Sequence, residues 1–416
     1  MSNPFSLLPE EIHPLYHEYL SYTDIKNLSF TCKFFSQSVI TLAELKNRQR
    51  TIHKVYAGVD VAYFLFKDGK VMSIGSHLRG QLGIGTSSLS CSALMANLNK
   101  INFPPQIYIE KVVAGYQHVF FRTVCKKWYG CGSNEYGELH SGNTGDSFYP
   151  TPVKPLGAVV IQDIVAGKNL SFFKLANGDW YGVGNNSFGQ LGTGHTQTSV
   201  IPQLISSPGG SRIRNIFTQN NSTILETEEG IYYGCGQNSY GELGLGHTDR
   251  QIVPAPIPLS LTHRIIKVIH GFFAHTYFQT DEGWFACGIN RTGQLGFNHR
   301  TLQLTPTLLK LADNCRITSI SPGKAHTVFG DEHGNWYVCG ANRHGQISIT
   351  TKSRFPIFQL NQIFLPNGEK IHTAIVGGNF TILQSVNNSW YSYGEIKITL
   401  EHENLIFLNH SQNSFD

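Results

Sequence analysis

The sequence predicts an all-β ring, a β-propeller of seven repeats, preceded by a small helical module. Three observations predict it. A glycine recurs through most of the chain at a steady 52-residue period, each period reads as short strands, and the first fifty residues keep helical spacing instead. A supersecondary unit of that length, repeated seven times, is the mark of a closed array or a solenoid.

The marker glycines are Gly75, Gly132, Gly184, Gly236, Gly288, Gly340 and Gly394. After the first six stand near-copies of one phrase, such as Gly80-Gln81-Leu82-Gly83, Gly189-Gln190-Leu191-Gly192 and Gly241-Glu242-Leu243-Gly244. Seventeen residues before each marker lies a second repeat position: Gly58, Gly115, Gly167, Gln219, Gly271, Gly323 and Gly377. The third unit shows the strand pattern. Ile161 to Val165 and Ser171 to Leu175 are apolar, a turn follows at Asn177-Gly178, and Trp180 to Val183 resumes. Short segments rich in β-branched and aromatic residues between Gly and Asn turns are strands.

Closure is favoured over an open solenoid. A solenoid needs polar caps at both ends, whereas here both ends look like fragments of a repeat. Thr51 to Ala57 resembles the strand Arg214 to Thr218, and Asn404 to His410 resembles the outer strand Val200 to Ser206. The two ends are therefore expected side by side, leaving only short protected strand edges.

The succession of apolar strand, Ala-Gly, apolar strand, Asp/Asn-Gly, aromatic strand, Gly-x-Asn and Gly-Gln-Leu-Gly resembles the regulator-of-chromosome-condensation repeat. It runs from about Thr51 to the C-terminus. The resemblance implies a seven-bladed propeller of four-stranded blades over residues 51–416.

The repeat frame explains several residues that could otherwise suggest chemistry. Trp128, Trp180, Trp284, Trp336 and Trp390 all lie four residues before a marker glycine and read as blade packing. Cys131, Cys235, Cys287 and Cys339 each directly precede a marker. They sit in four separate units without a Cys-x-x-Cys pair, so they read as small buried thiols and no metal site is expected. His118 and His326 share one repeat position, whereas His275 falls one residue later. The Glu282-Gly283 turn is also late, so a compensated β-bulge is expected near His275.

Residues 1–50 do not carry the repeat. Pro9, Glu10 and Glu11 suit the first turn of a helix. Leu8, Ile12, Leu15 and Leu20 keep helical spacing, and Thr23-Asp24 can cap a second helix. Leu-Pro-Glu-Glu-Ile, then Tyr-Leu, then Asp-Ile-x-x-Leu, then Cys-Lys-x-Phe resembles the F-box. That resemblance implies docking to a Skp-type adaptor of a cullin ubiquitin ligase through Leu8, Pro9, Ile12, Leu15, Leu20, Ile25, Leu28, Phe34 and Phe35. Pro14 departs from a regular helix, since an interior proline costs about 3 kcal/mol. A plain helical cap on the propeller is the alternative.

Composition narrows the function. A net charge of +4 over 416 residues, with no basic run, argues against nucleic acid as a direct partner. No apolar stretch approaches the ~20 residues of a membrane span, and the N-terminus lacks a signal-peptide pattern. Scattered cysteines suit a reducing compartment. The expected location is the eukaryotic cytosol or nucleus, whether the protein is made there or delivered there by a microbe.

Partner binding is expected on the loops after the marker glycines, where Arg79, Glu135, Tyr136, Phe188, Tyr240, Arg291, Arg343 and His344 occupy equivalent positions. Aromatics and arginines dominate binding hot spots; the same aromatics could instead cover loop backbone. No catalytic constellation, cofactor motif or phosphate loop is recognisable, because the Gly-rich phrases lack a Gly-Lys-Ser/Thr ending. Two functions follow. The first is an adaptor, with the F-box docking to the ligase and the propeller recruiting one target protein. The second comes from the repeat family: binding or guanine-nucleotide exchange on a Ran-type small GTPase. Exchange in that family uses an inserted β-wedge, for which the uniform units leave little room. Only the connection within Thr86 to Ile109 is longer.

Overall fold

The computed structural model describes residues 52–85, 98–311, 315–347, 355–365 and 368–394, and the backbone of 399–401 and 404–406. The chain falls into two units, Met1–Arg50 and Thr51–Asp416. The helical module and its docking residues from Leu8 to Phe35 lie outside the described residues, as does most of the longer connection after Thr86.

The second unit is a seven-bladed β-propeller. Each blade is an antiparallel sheet of strands taken in chain order. Blade 3 is typical: Ile161–Ala166, Leu170–Leu175, Trp180–Gly184 and Ser199–Leu204 pair successively. The first strand of every blade lies beside the first strands of both neighbouring blades, so these strands line the axis. Ile52–Ala57 and Ile371–Val376 complete the circle. The seam is fastened by the Gly378 N–H, which donates to the Val59 carbonyl at 2.5 Å. The ring therefore closes as expected, with Ile52–Ala57 opening blade 1 as its resemblance to Arg214–Thr218 implies, so no blade is shared between the two ends.

The core lies between blades. Phe120, Trp128 and Leu139 of blade 2 pack against Ile161, Ile164 and Phe173 of blade 3, and the same pattern recurs around the ring. The tryptophans add a directed bond. Nε1 of Trp128, Trp180 and Trp336 donates to the carbonyl of Ile161, Ile213 and Ile371, the residue that opens the next blade. In blade 4 the Tyr232 hydroxyl takes that role toward Ile265. The marker-associated thiols also reach across. Cys131, Cys235, Cys287 and Cys339 are buried, each directed at a backbone carbonyl of the preceding blade.

The recurrent phrase is a clamp on the following blade. At Gly189 a Cβ would lie 2.7 Å from the Ile252 Cα of the next outer strand, and at Gly80 2.5 Å from the Ser147 carbonyl. Only glycine permits that approach. Leu82, Leu139, Leu191, Leu243 and Leu295 then point inward and are essentially buried. The outer strands are rich in proline (Pro150, Pro202, Pro254, Pro306), which removes donors from an otherwise exposed edge.

Two expectations need correction. The fourth place in blade 7 is taken by Thr399–Glu401, and Asn404–Ile406 adds a fifth strand outside it. Thr399–Glu401 reaches Trp390 and Tyr391 through a connection much shorter than the repeat's own, and a shorter loop is cheaper to close. The bulge expected near His275 is absent. His275 pairs with Gly288 just as His118 pairs with Gly132, and the strand from His275 to Thr280 keeps the usual register. The additional residue is absorbed in the preceding turn, where Ala274 adopts φ +45°. A turn accepts it without turning a whole strand inside out.

The Trp284 Nε1 is buried and has no partner among the described residues. Trp180→Phe is accordingly expected to cost about 1 kcal/mol more than Trp284→Phe, because only the former breaks a bond and strands a buried carbonyl. Urea-unfolding midpoints of the two variants check this.

Candidate partner-binding face

In every blade the chain runs along the axis on the first strand, back on the second, and forward again on the third. The turn after strand one and the marker-glycine loop after strand three therefore share one face. Backbone bonds tie them together: Ser133 N–H to Gln117 O, Asn185 N–H to Asn169 O and Gln237 N–H to Asn221 O, at 2.7–2.9 Å.

On blades 2 to 6 each marker loop is held from beneath by two buried amide or carboxyl side chains. The Asn of Gly-x-Asn accepts from the phrase leucine, as in Asn186 Oδ1 from Leu191 N–H and Asn238 Oδ1 from Leu243 N–H. Its Nδ2 donates to the far side of the loop, at His195 O and His247 O. The buried Gln or Glu of the phrase accepts the amide two residues before it: Gln190 from Phe188, Glu242 from Tyr240, Gln294 from Thr292 and Gln346 from His344. The residues singled out for partner binding are thus presented by a rigid frame.

The face brings some of them together and separates others. Arg79 reaches Asp146 at 3.2 Å and Glu135 at 3.7 Å, an ion triad joining blades 1 and 2. Arg79 and Glu135 thus engage each other, and such exposed pairs add only about 0–1 kcal/mol. Tyr136, Phe188 and Tyr240 are half-buried, so part of each ring covers its loop. Tyr240 is the most elaborated of the three. Its ring lies 5.8 Å from Phe273 and 5.6 Å from the Arg291 guanidinium, making an aromatic–cation cluster across blades 4 and 5. Arg343 and His344 are exposed on the blade 6 loop.

Sequence reasoning missed Phe273, which the additional turn residue accompanies, and the lysines Lys168 and Lys324. Both lysines directly follow the repeat glycine, at Gly167 and Gly323, so the axial rim was readable one position on from a known marker. Among the described residues no group of three His, Cys, Asp or Glu converges to hold a metal ion. No helix there is long and apolar enough to cross a membrane.

The family model for the regulator of chromosome condensation (RCC1) repeat matches residues 127–173, 177–224, 229–271 and 283–329. The chain carries RCC1 repeats over these residues. Each matched segment starts near a third strand and ends near the second strand of the next blade, so the sequence repeat straddles the blade boundary that the packing makes most important. The chain is 28% identical over 354 residues to the ultraviolet-B receptor UVR8 of Arabidopsis thaliana, over 83% of this chain and 77% of that one. It is 30% identical over 229 residues to the secretion-regulating guanine nucleotide exchange factor of Mus musculus. That match takes in 52% of this chain but only about half of the relative, 48%. Among solved structures it is similar to Prp20p from Saccharomyces cerevisiae, with TM-score 0.65 and 17% identity over 84% of this chain and 87% of that one, a likeness of fold.

Blades 2 and 4 carry Glu138 and Glu242 where blades 1, 3, 5 and 6 carry Gln81, Gln190, Gln294 and Gln346. Burial raises both carboxyls, and Glu242 is pushed up to about 7, its loop amide bonds only partly offsetting the loss of water. A folded value above the ordinary 4.5 favours the fold fully at acid pH, and that contribution is lost as pH rises toward and through 7. Glu242→Gln keeps the acceptor and removes the charge. It is expected to raise stability by on the order of 2 kcal/mol at pH 8 and to change little at pH 4, as read by unfolding at the two pH values.

Proposed function

We propose that this chain is a non-catalytic, protein-binding propeller whose marker-loop face engages a Ran-type small GTPase, as a binder or regulator of its nucleotide state. The observation that carries this reading is the Tyr240–Arg291–Phe273 cluster. It combines ring and guanidinium groups on an exposed face with a buried supporting frame. Rigid aromatic and arginine anchors are what protein interfaces use for most of their binding energy.

The relatives support the same direction. One is named as a guanine nucleotide exchange factor, and the structure of Prp20p is described together with its binding to Gsp1p and histones. The uniform unit length argues for binding with little exchange, since a nucleotide-displacing wedge needs additional chain. The ligase-adaptor reading depends on Leu8, Pro9 and the other residues of the N-terminal motif, and on the sequence alone.

The test uses the full chain and a Ran-type GTPase loaded with a fluorescent guanine nucleotide. Binding is expected, and Tyr240→Ala or Arg291→Ala is expected to weaken it about tenfold or more. Nucleotide release is expected to accelerate only slightly. Absence of binding in both the GDP and GTP states, or binding indifferent to both substitutions, would overturn the reading.

A further inference from the structure

The marker-loop face is electrically divided. On blades 1 and 2 the charges are the half-buried Asp60 and, against Arg79, the exposed Glu135 and the half-buried Asp146, which both engage it. On blades 3 to 6 the described loops and turns carry Lys168, Arg250, Arg291, Arg300, Lys324 and Arg343, with Asp249 as the opposing exposed carboxylate. Glu242 also lies there, but it is buried, and burial raises its carboxyl to about 7.

Four cations of this sector rest on aromatic rings or a backbone carbonyl. The Lys168 Nζ lies 5.5 Å above the Tyr116 ring, Arg291 over Tyr240, and Arg300 at 3.7 Å over Phe358. Arg250 donates to the Ser187 carbonyl at 3.2 Å. Among the described residues none of Lys168, Lys324, Arg250, Arg291 and Arg300 is ion-paired. Lys168 and Lys324 sit on first-strand turns at the mouth of the central channel, half-buried, on blades 3 and 6. Burial lowers the Lys168 ammonium, and the charge of Lys324 lowers it further. Two ammonium groups without an ion-pair partner among the described residues, on turns that rim one channel mouth, form a natural seat for a carboxylate.

We propose that this sector binds an acidic segment of a partner protein, seated on Lys168 and Lys324 at the channel mouth and running outward over the Tyr240–Arg291 pair. The inference rests on the partner-binding reading of this face and adds the chemistry of what binds there. The carboxylates of blades 1 and 2 set the polarity. They repel the same segment, which fixes its direction and disfavours a uniformly charged polymer laid across the whole face. A nucleic-acid backbone would meet Asp60, Glu135 and Asp146, so the acidic peptide is the better fit.

The test measures fluorescence anisotropy of a labelled twelve-residue Glu/Asp/Gly peptide titrated with the full chain. A Lys/Gly peptide and a single-stranded DNA of equal length are run beside it. Binding of the acidic peptide is expected at about 50 mM salt, weakening strongly by about 300 mM. Lys168→Glu with Lys324→Glu is expected to weaken it at least tenfold. Lys168→Gln with Lys324→Gln should show a smaller loss in the same direction, and Arg79→Glu no loss. Thermal unfolding of each variant checks that the ring is intact. No binding of the acidic peptide, equal binding by the lysine variants, or tighter binding of the DNA overturns the inference. Failure of the peptide while the GTPase is still bound overturns this inference alone. Failure of the GTPase while the peptide holds overturns the reading beneath it.

Discussion

Everything in this ring depends on one kind of contact, the docking of each blade onto the next. A four-stranded sheet of this size cannot bury both of its faces by itself. Here Phe120 meets Phe173 and Tyr63 meets Phe121 across blade boundaries, edge to face at 6.0 and 5.9 Å. The directed bonds sit on those same boundaries. Trp180 reaches Ile213 on its neighbour, and the Tyr277 hydroxyl bonds to both Gln294 O and the next blade's Thr327. His118 bonds to Ser171, and His326 to Thr381. A chain of such contacts is complete only when the last blade meets the first, which the Gly378–Val59 bond accomplishes.

The binding face follows from that packing. The phrase glycines let each marker loop lie on the outer strand of the next blade, and the buried Asn and Gln or Glu side chains fix the loop from below. Residues three and four positions after the marker are what remains free to vary. Their side chains therefore record function more than folding, within a frame that changes little from blade to blade. The Tyr240–Arg291 contact and the Arg79–Glu135–Asp146 triad show two uses of the same position. One presents an aromatic–cation surface, and the other closes upon itself.

The number of blades, the places of Trp180 and Cys235, and the glycine clamp were legible because a repeat states each requirement several times. Period and position carry that information without knowledge of contacts. What was not legible was what breaks the repeat. The short connection that brings Thr399–Glu401 into the fourth place of blade 7 has no counterpart elsewhere. The additional residue before His275 could sit in a strand or a turn, and the spacing of glycines is the same for both. Pairing across blades was hidden as well. Arg79 and Glu135 are neighbours in space only because the ring places consecutive loops together, and Lys168 and Lys324 share one channel mouth only because the first strands of all blades line the axis.

The most direct measurement is hydrogen–deuterium exchange of the full chain with and without a bound Ran-type GTPase. Protection is predicted on the marker loops around 187–195, 239–250 and 291–300 and on the turn 272–274. Protection confined to the opposite face, on turns such as 124–127, 176–178 and 228–230, would contradict the assignment of this face to partner binding.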